Sequence, residues 1–270
     1  MEVTSTDGTL IRYETRGEGS PALVFIHGWC CQRTFWEPQL AFFSRQTQVV
    51  ALDLAGHGES KSDRKDYTMA AFGQDVAAVV SALKLKRVVL VGHSMGGPVM
   101  LEAAALLNEN VAGLIAVDAF TDPDESYTYQ QITDFCKPFH DDFPRSMRNA
   151  LTHEEDFFRQ GTDQKLIDRI MAVMTSAPPE MGHSAFLGML DFANCRQRPL
   201  MSQVRVPFLC INARRDDRKV ADGRKYAPQF EVTVLPDSGH FLMMEHPDEF
   251  NEMLRQQLHL IASSKPFGPE

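Results

Sequence analysis

Apolar and polar positions alternate at the start of the chain, then give way to continuous apolar runs separated by segments of helical period. Residues 3–6, the Asp7-Gly8 pair and the alternating stretch 9–15 predict a hairpin, because Asp-Gly tolerates the positive φ values of a tight turn. Apolar runs follow at 22–26, 49–52, 88–91, 111–117, 208–211 and 232–235, each short enough for a strand buried on both faces. Helical period fills 68–83, 95–107 and 247–260. The alternation predicts an α/β protein with a mostly parallel central sheet flanked by helices.

One stretch breaks the rhythm. From 121 to 201 no strand pattern emerges, Phe, Met, His and acidic residues are frequent, and helical period recurs at 164–174. Lying after the sixth predicted strand, these residues are expected to form a helical cap over the strand ends, where open α/β sheets bind ligands. The expected division is a core of 1–120 and 202–270 and a cap of 121–201.

Composition narrows the picture. Hydrophobic residues at 43% and charged residues at 23% are the mix of a globular protein able to bury a large core. A formal net charge of −9, without a basic run, argues against a nucleic-acid partner. Five cysteines, odd in number and without CxxC spacing, predict free thiols rather than a disulfide framework or zinc site. The first residues lack a basic region followed by an apolar stretch, and no segment reaches about 18 uncharged apolar residues, so no membrane insertion and a cytoplasmic location are expected. His140-Asp141-Asp142 and His153-Glu154-Glu155 read as solvated acidic faces rather than metal ligands, and no cofactor or metal is expected.

The chemistry concentrates at Val88-Val89-Leu90-Val91-Gly92-His93-Ser94-Met95-Gly96-Gly97, a buried strand leading into G-x-S-x-G and a helix. That context makes Ser94 a candidate nucleophile on a sharp turn, with Gly92 and Gly96 permitting close packing and the helix aiming its positive end at the site. A serine hydroxyl needs a base within hydrogen-bond reach. Of nine histidines, His240 stands out: it follows the last predicted strand, precedes the terminal helix and adjoins Gly239. His93 and His57 are read as structural.

Together, the stretch from Ala22 through His27-Gly28-Trp29, the segment Asp53-Leu54-Ala55-Gly56-His57-Gly58-Glu59-Ser60 and the serine turn resemble the α/β-hydrolase superfamily over nearly the whole chain. The resemblance implies an oxyanion hole built from the backbone N–H groups of Trp29 and Met95. It also implies an acid that orients the histidine, commonly after the strand at 208–211, which points to Asp216, or to Asp217 if the loop is one residue longer. Some members carry the acid one strand earlier, which points to Asp118.

The implied activity is hydrolysis of a small to medium carboxylic ester through a Ser-His-Asp triad and an acyl-enzyme, with a small-molecule ester as the expected substrate. Cap aromatics and methionines such as Phe139, Phe157, Phe186 and Met189, with Trp29 and Phe241, suggest an apolar pocket or equally the cap's own core. Lactone hydrolysis, carbon–carbon bond cleavage and perhydrolysis run on the same framework. So do a slow small-molecule receptor and a cofactor-free dioxygenase. A serine at 94 sets the chain apart from the dehalogenases and epoxide hydrolases of this fold, which usually carry Asp there.

Overall fold

The computed structural model describes residues 1–153, 157–214 and 216–264. Strands β1 (Glu2–Thr4) and β2 (Leu10–Arg16) form the hairpin, closed by Ser5 and Thr9 with Gly8 at φ 91°. They lead into β3 (Ala22–Ile26), β4 (Val49–Leu52), β5 (Val88–His93), β6 (Val111–Val117), β7 (Phe208–Asn212) and β8 (Phe230–Val234). The eight strands run in the order β1-β2-β4-β3-β5-β6-β7-β8. From β4 to β8 every pairing is parallel, and the β1–β2 and β2–β4 pairings are antiparallel.

Every residue of β3, β4 and β5 is buried, so both faces of the sheet must be covered. Two helix groups do this. α2 (Met69–Ala82) packs on α3 (Gly96–Leu107), while α1 (Glu37–Phe43) packs on α11 (Pro247–Ser263). Local chemistry sets their ends: the Thr68 hydroxyl accepts the Ala71 N–H at 3.2 Å to start α2, and Pro247, Asp248 and Glu249 open α11. A buried amide contact, Gln39 to Asn251 at 3.0 Å, locks α1 to α11.

Among the described residues between β6 and β7 the regular structure is helical, as the missing strand pattern implied: α4 (Tyr129–Asp141), α5 (Phe143–His153), α6 (Gln164–Thr175), α7 (Pro179–Cys195) and α8 (Gln197–Met201). These helices pack on one another, with α7 also against α2 and α8 against α3. Tyr67 N–H donates to Ser184 at 3.0 Å, and Arg196 pairs with Glu102 at 2.7 Å. Two short elements complete the chain, α9 (Asp217–Tyr226) beside β8 and the single turn α10 (Leu242–Glu245). Among the described residues no helix is long and apolar enough to cross a membrane.

The sheet order reverses at one place: β3 leads outward to β4, and the chain then crosses back to lay β5 on the other side of β3. Such a reversal splays the loops at the carboxyl ends of neighbouring strands and opens a crevice between them. Ile26 pairs with Gly92 and His93 with Val117, so the loops after β3, β5 and β6 emerge side by side.

Candidate active site

Ser94 sits directly after β5 with φ 52°, a left-handed conformation that an L-residue adopts at a cost. Its N–H donates to the Val117 carbonyl at 2.9 Å, and its carbonyl accepts the Gly97 N–H at 2.8 Å, so the turn is held from both sides. Strand and helix cross so closely that only glycine fits. A Cβ at Gly92 would stand 2.2 Å from the Gly96 oxygen, and one at Gly96 would stand 2.5 Å from the Ile26 oxygen. Gly92→Ala is therefore expected to cost about 1–3 kcal/mol of stability and to displace Ser94. A urea melt checks it, and an unchanged midpoint would contradict the close crossing.

On the β3 side, His27-Gly28 begins the loop that carries Trp29. Gly28 lies against the serine, since a Cβ there would approach Ser94 Cβ to 3.2 Å. The imidazoles of His27 and His57 pin this loop: His27 Nε2 accepts the Leu54 N–H at 3.0 Å, and His57 Nε2 accepts the Cys30 N–H at 3.2 Å. Burial holds both rings neutral, with His27 lowered to about 4 and His57 to about 3. No intramolecular hydrogen bond among the described residues takes up the Trp29 or Met95 backbone N–H. The Trp29 indole has a role the sequence did not reveal. Its Nε1 donates to the Gly182 carbonyl at 2.8 Å, and its ring packs on Phe139, Phe143 and Phe186 of α4, α5 and α7.

On the β6 side stands Asp118. Its Oδ2 accepts from His240 Nδ1 at 2.6 Å, and its Oδ1 accepts the Ala213 N–H at 2.9 Å. Asp118 itself is at φ 44°, a region Asp tolerates better than most residues. Asn212 braces the loop by bonding both the N–H and the carbonyl of Ala119, at 3.4 and 3.1 Å. Burial opposes the charged carboxylate, yet the His240 hydrogen bond and charge, with the Ala213 N–H, hold Asp118 below the usual carboxylate range.

His240 reaches the same end of the sheet from the loop after β8. Its carbonyl accepts from His93 Nε2 at 2.8 Å, and the two rings stand 4.7 Å apart. His93, expected to be structural, thus ties the histidine loop to the residue that precedes Ser94. Burial lowers His93 to about 3, and its Nδ1 has no partner among the described residues.

Asp216, the leading acid on sequence grounds, is not brought to His240. It is exposed and forms the N-cap of α9, accepting the Arg218 N–H at 2.8 Å. Asp217 lies exposed in the first turn of the same helix. His240 pairs instead with Asp118. A cavity of about 480 Å³ nonetheless has Asp118, His240 and Asp216 among its lining residues. His140, Asp141 and Asp142 are exposed, with Asp141 paired to Lys137 at 2.6 Å. The His153 side chain, Glu154 and Glu155 lie outside the described residues.

A serine on a left-handed turn between β5 and α3, in a parallel sheet whose order reverses beside it, defines the α/β-hydrolase class of fold. A model of the alpha/beta hydrolase family matches residues 23–253, and the chain belongs to that family. It is 29% identical over 254 residues to the dihydrolipoyllysine-residue acetyltransferase component of the acetoin cleaving system of Pseudomonas putida, covering 92% of this chain and 66% of the relative. It is 41% identical over 115 residues to a non-heme haloperoxidase of Rhodococcus erythropolis, covering 42% of this chain and 40% of the relative. The chain thus spans less than two thirds of either relative. Among solved structures, a thermophilic esterase from Thermogutta terrifontis superposes with a TM-score of 0.83 at 25% identity, covering 97% of this chain and 98% of that one.

Proposed function

We propose that the protein is a serine hydrolase of carboxylic esters, with Ser94 as nucleophile, His240 as general base and Asp118 as the acid that orients it. The observation that carries this reading is the hydrogen bond from His240 to Asp118 at 2.6 Å, at the same sheet end as the serine turn. With Nδ1–H donated to the carboxylate, the Nε2 lone pair of His240 is left to accept a proton. His240 takes the Ser94 proton as Oγ attacks the ester carbonyl. The Trp29 and Met95 N–H groups receive the oxyanion, each contributing roughly 3 kcal/mol to the transition state. The protonated histidine then gives its proton to the departing alcohol, and water, deprotonated by the same ring, releases the acid.

In this reading residues 121–201 are a cap over a core of 1–120 and 202–270. Trp29 joins the oxyanion loop to the cap through its aromatic contacts, while Phe143, Met174 and Phe192 are buried as cap core. Phe139, Phe157, Phe186 and Met189 are only partly buried, an apolar supply that suits a small to medium apolar acyl or alcohol group. The test is hydrolysis of p-nitrophenyl esters from acetate to octanoate. A stoichiometric burst of p-nitrophenolate followed by slower turnover, favouring short to medium chains, is expected. No turnover across the series would end the esterase reading.

The likeness to a haloperoxidase supports a second reading on the same acyl-enzyme, in which hydrogen peroxide replaces water and a peracid is released. Peroxide-dependent oxidation of bromide in the presence of a short carboxylic acid would distinguish it.

A further inference from the structure

We infer that Glu245 is a positioning residue for His240, fastening the histidine loop to the helical insertion; the inference rests on the reading of His240 as the base. Glu245 ends α10, the turn that follows His240, and its side chain folds back on the loop it has just left. Its Oε2 accepts the Gly239 N–H at 3.2 Å and lies 3.0 Å from the Thr162 hydroxyl, which belongs to the segment between α5 and α6. That hydroxyl is also 2.9 Å from the Arg159 carbonyl, so its one proton is shared between two acceptors. The second carboxylate oxygen, Oε1, is buried without a partner among the described residues.

The insertion also touches His240 itself. The His240 N–H donates to the Phe157 carbonyl at 3.1 Å, and the Phe157 ring meets the imidazole edge-on with centroids 5.2 Å apart. Phe158 stacks on Phe241 at 5.7 Å with its plane tilted by only 19°. Gly239 is the meeting point, since a Cβ there would stand 2.6 Å from the Phe157 oxygen and 2.8 Å from Glu245 Oε1. The backbone around His240 is therefore held on three sides: Glu245 takes the N–H before it, Phe157 takes its own N–H, and His93 donates to its carbonyl.

Keeping Oε1 buried and unpaired costs stability, because a buried polar atom without a partner forfeits its hydration. In return the Gly239 N–H is satisfied, and the loop is fixed to a segment distant in sequence. Without that acceptor the N–H is orphaned and the loop can drift from the serine. A displacement near 1 Å costs about 100-fold in rate.

The test compares Glu245→Ala, Glu245→Gln, Thr162→Val and His240→Ala in the full chain. It measures the labelling rate of Ser94 by a fluorophosphonate, kcat and KM for p-nitrophenyl acetate, and thermal unfolding. Glu245→Ala should lower the labelling rate and kcat by about 100-fold with KM within about 3-fold. Glu245→Gln keeps an acceptor oxygen and should recover to within about 5-fold of wild type, with Thr162→Val losing about 10-fold. If Glu245→Ala does not fold, the decision passes to the other two. Full activity in Thr162→Val with no recovery in Glu245→Gln overturns the inference. So does a folded Glu245→Ala that labels and turns over like wild type. His240→Ala separates the layers: if it labels normally the base reading fails and the inference with it, whereas if it is silent while Glu245→Ala is fully active, the inference alone fails.

Discussion

Ser94→Ala is expected to abolish the p-nitrophenolate burst and to lower kcat for ester hydrolysis by roughly 10⁴- to 10⁶-fold, leaving only what binding and the oxyanion donors achieve with water. The size of the loss follows from what is removed, the atom that forms the covalent bond. The fold should barely change. Alanine at φ 52° bears the same backbone strain as serine, the turn's bonds to Val117 and Gly97 are made by the backbone, and the hydroxyl is not among the groups that hold the loop. Loss of activity with an unaltered melting temperature would therefore report chemistry alone. Fluorophosphonate labelling gives a second readout that needs no knowledge of the natural substrate. A Ser94→Ala protein that still hydrolyses esters would remove Ser94 from the reaction and move the cofactor-free alternatives forward.

Much of the fold was legible because its signals are local. A strand buried on both faces must be apolar throughout, and β3 to β6 were visible for that reason. The serine turn was legible because β5 approaches α3 too closely for a side chain at 92, and α3 approaches the end of β3 too closely for one at 96. His240 could be selected by its position after the last strand. The acid could not, because Asp118, Asp216 and Asp217 all lie just beyond sheet strands, and which one meets the histidine depends on loop paths. The Asp118 loop is drawn across by Asn212, whose amide spans 93 positions in sequence to hold Ala119. No pattern along the chain marks such a contact. Glu245 and the Trp29 indole were hidden likewise, since each acts on a residue of the helical insertion, Thr162 and Gly182, that nothing in the local sequence singles out. A buried polar residue at the end of an apolar strand, as Asn212 is, was the one available hint.

The choice of acid is tested by a pair of substitutions with opposite effects. Asp118→Asn should lower kcat by about 10⁴-fold, because an amide offers the imidazole either an N–H or a weaker acceptor, and the ring loses the tautomer that leaves Nε2 free. Stability should fall less, and with a defined pH dependence. The folded-state pKa of Asp118 is depressed by His240 and Ala213, so the ionised carboxylate stabilises the fold above its unfolded pKa of about 4. That contribution fades as pH falls through the depressed folded value, and the Asn variant should lack it at all pH. Asp216→Ala should show the reverse pattern. It removes the acceptor that caps α9 and should cost about 1 kcal/mol of stability, with kcat within about 2-fold of wild type. Urea melts and p-nitrophenyl acetate turnover on the two variants decide the matter. A large kcat loss in Asp216→Ala with little change in Asp118→Asn would mean that the acid is supplied from the β7 loop during turnover and that Asp118 only tethers the resting histidine. The predicted pattern would instead make the carboxylate after β6 the partner of His240 in catalysis as well as at rest.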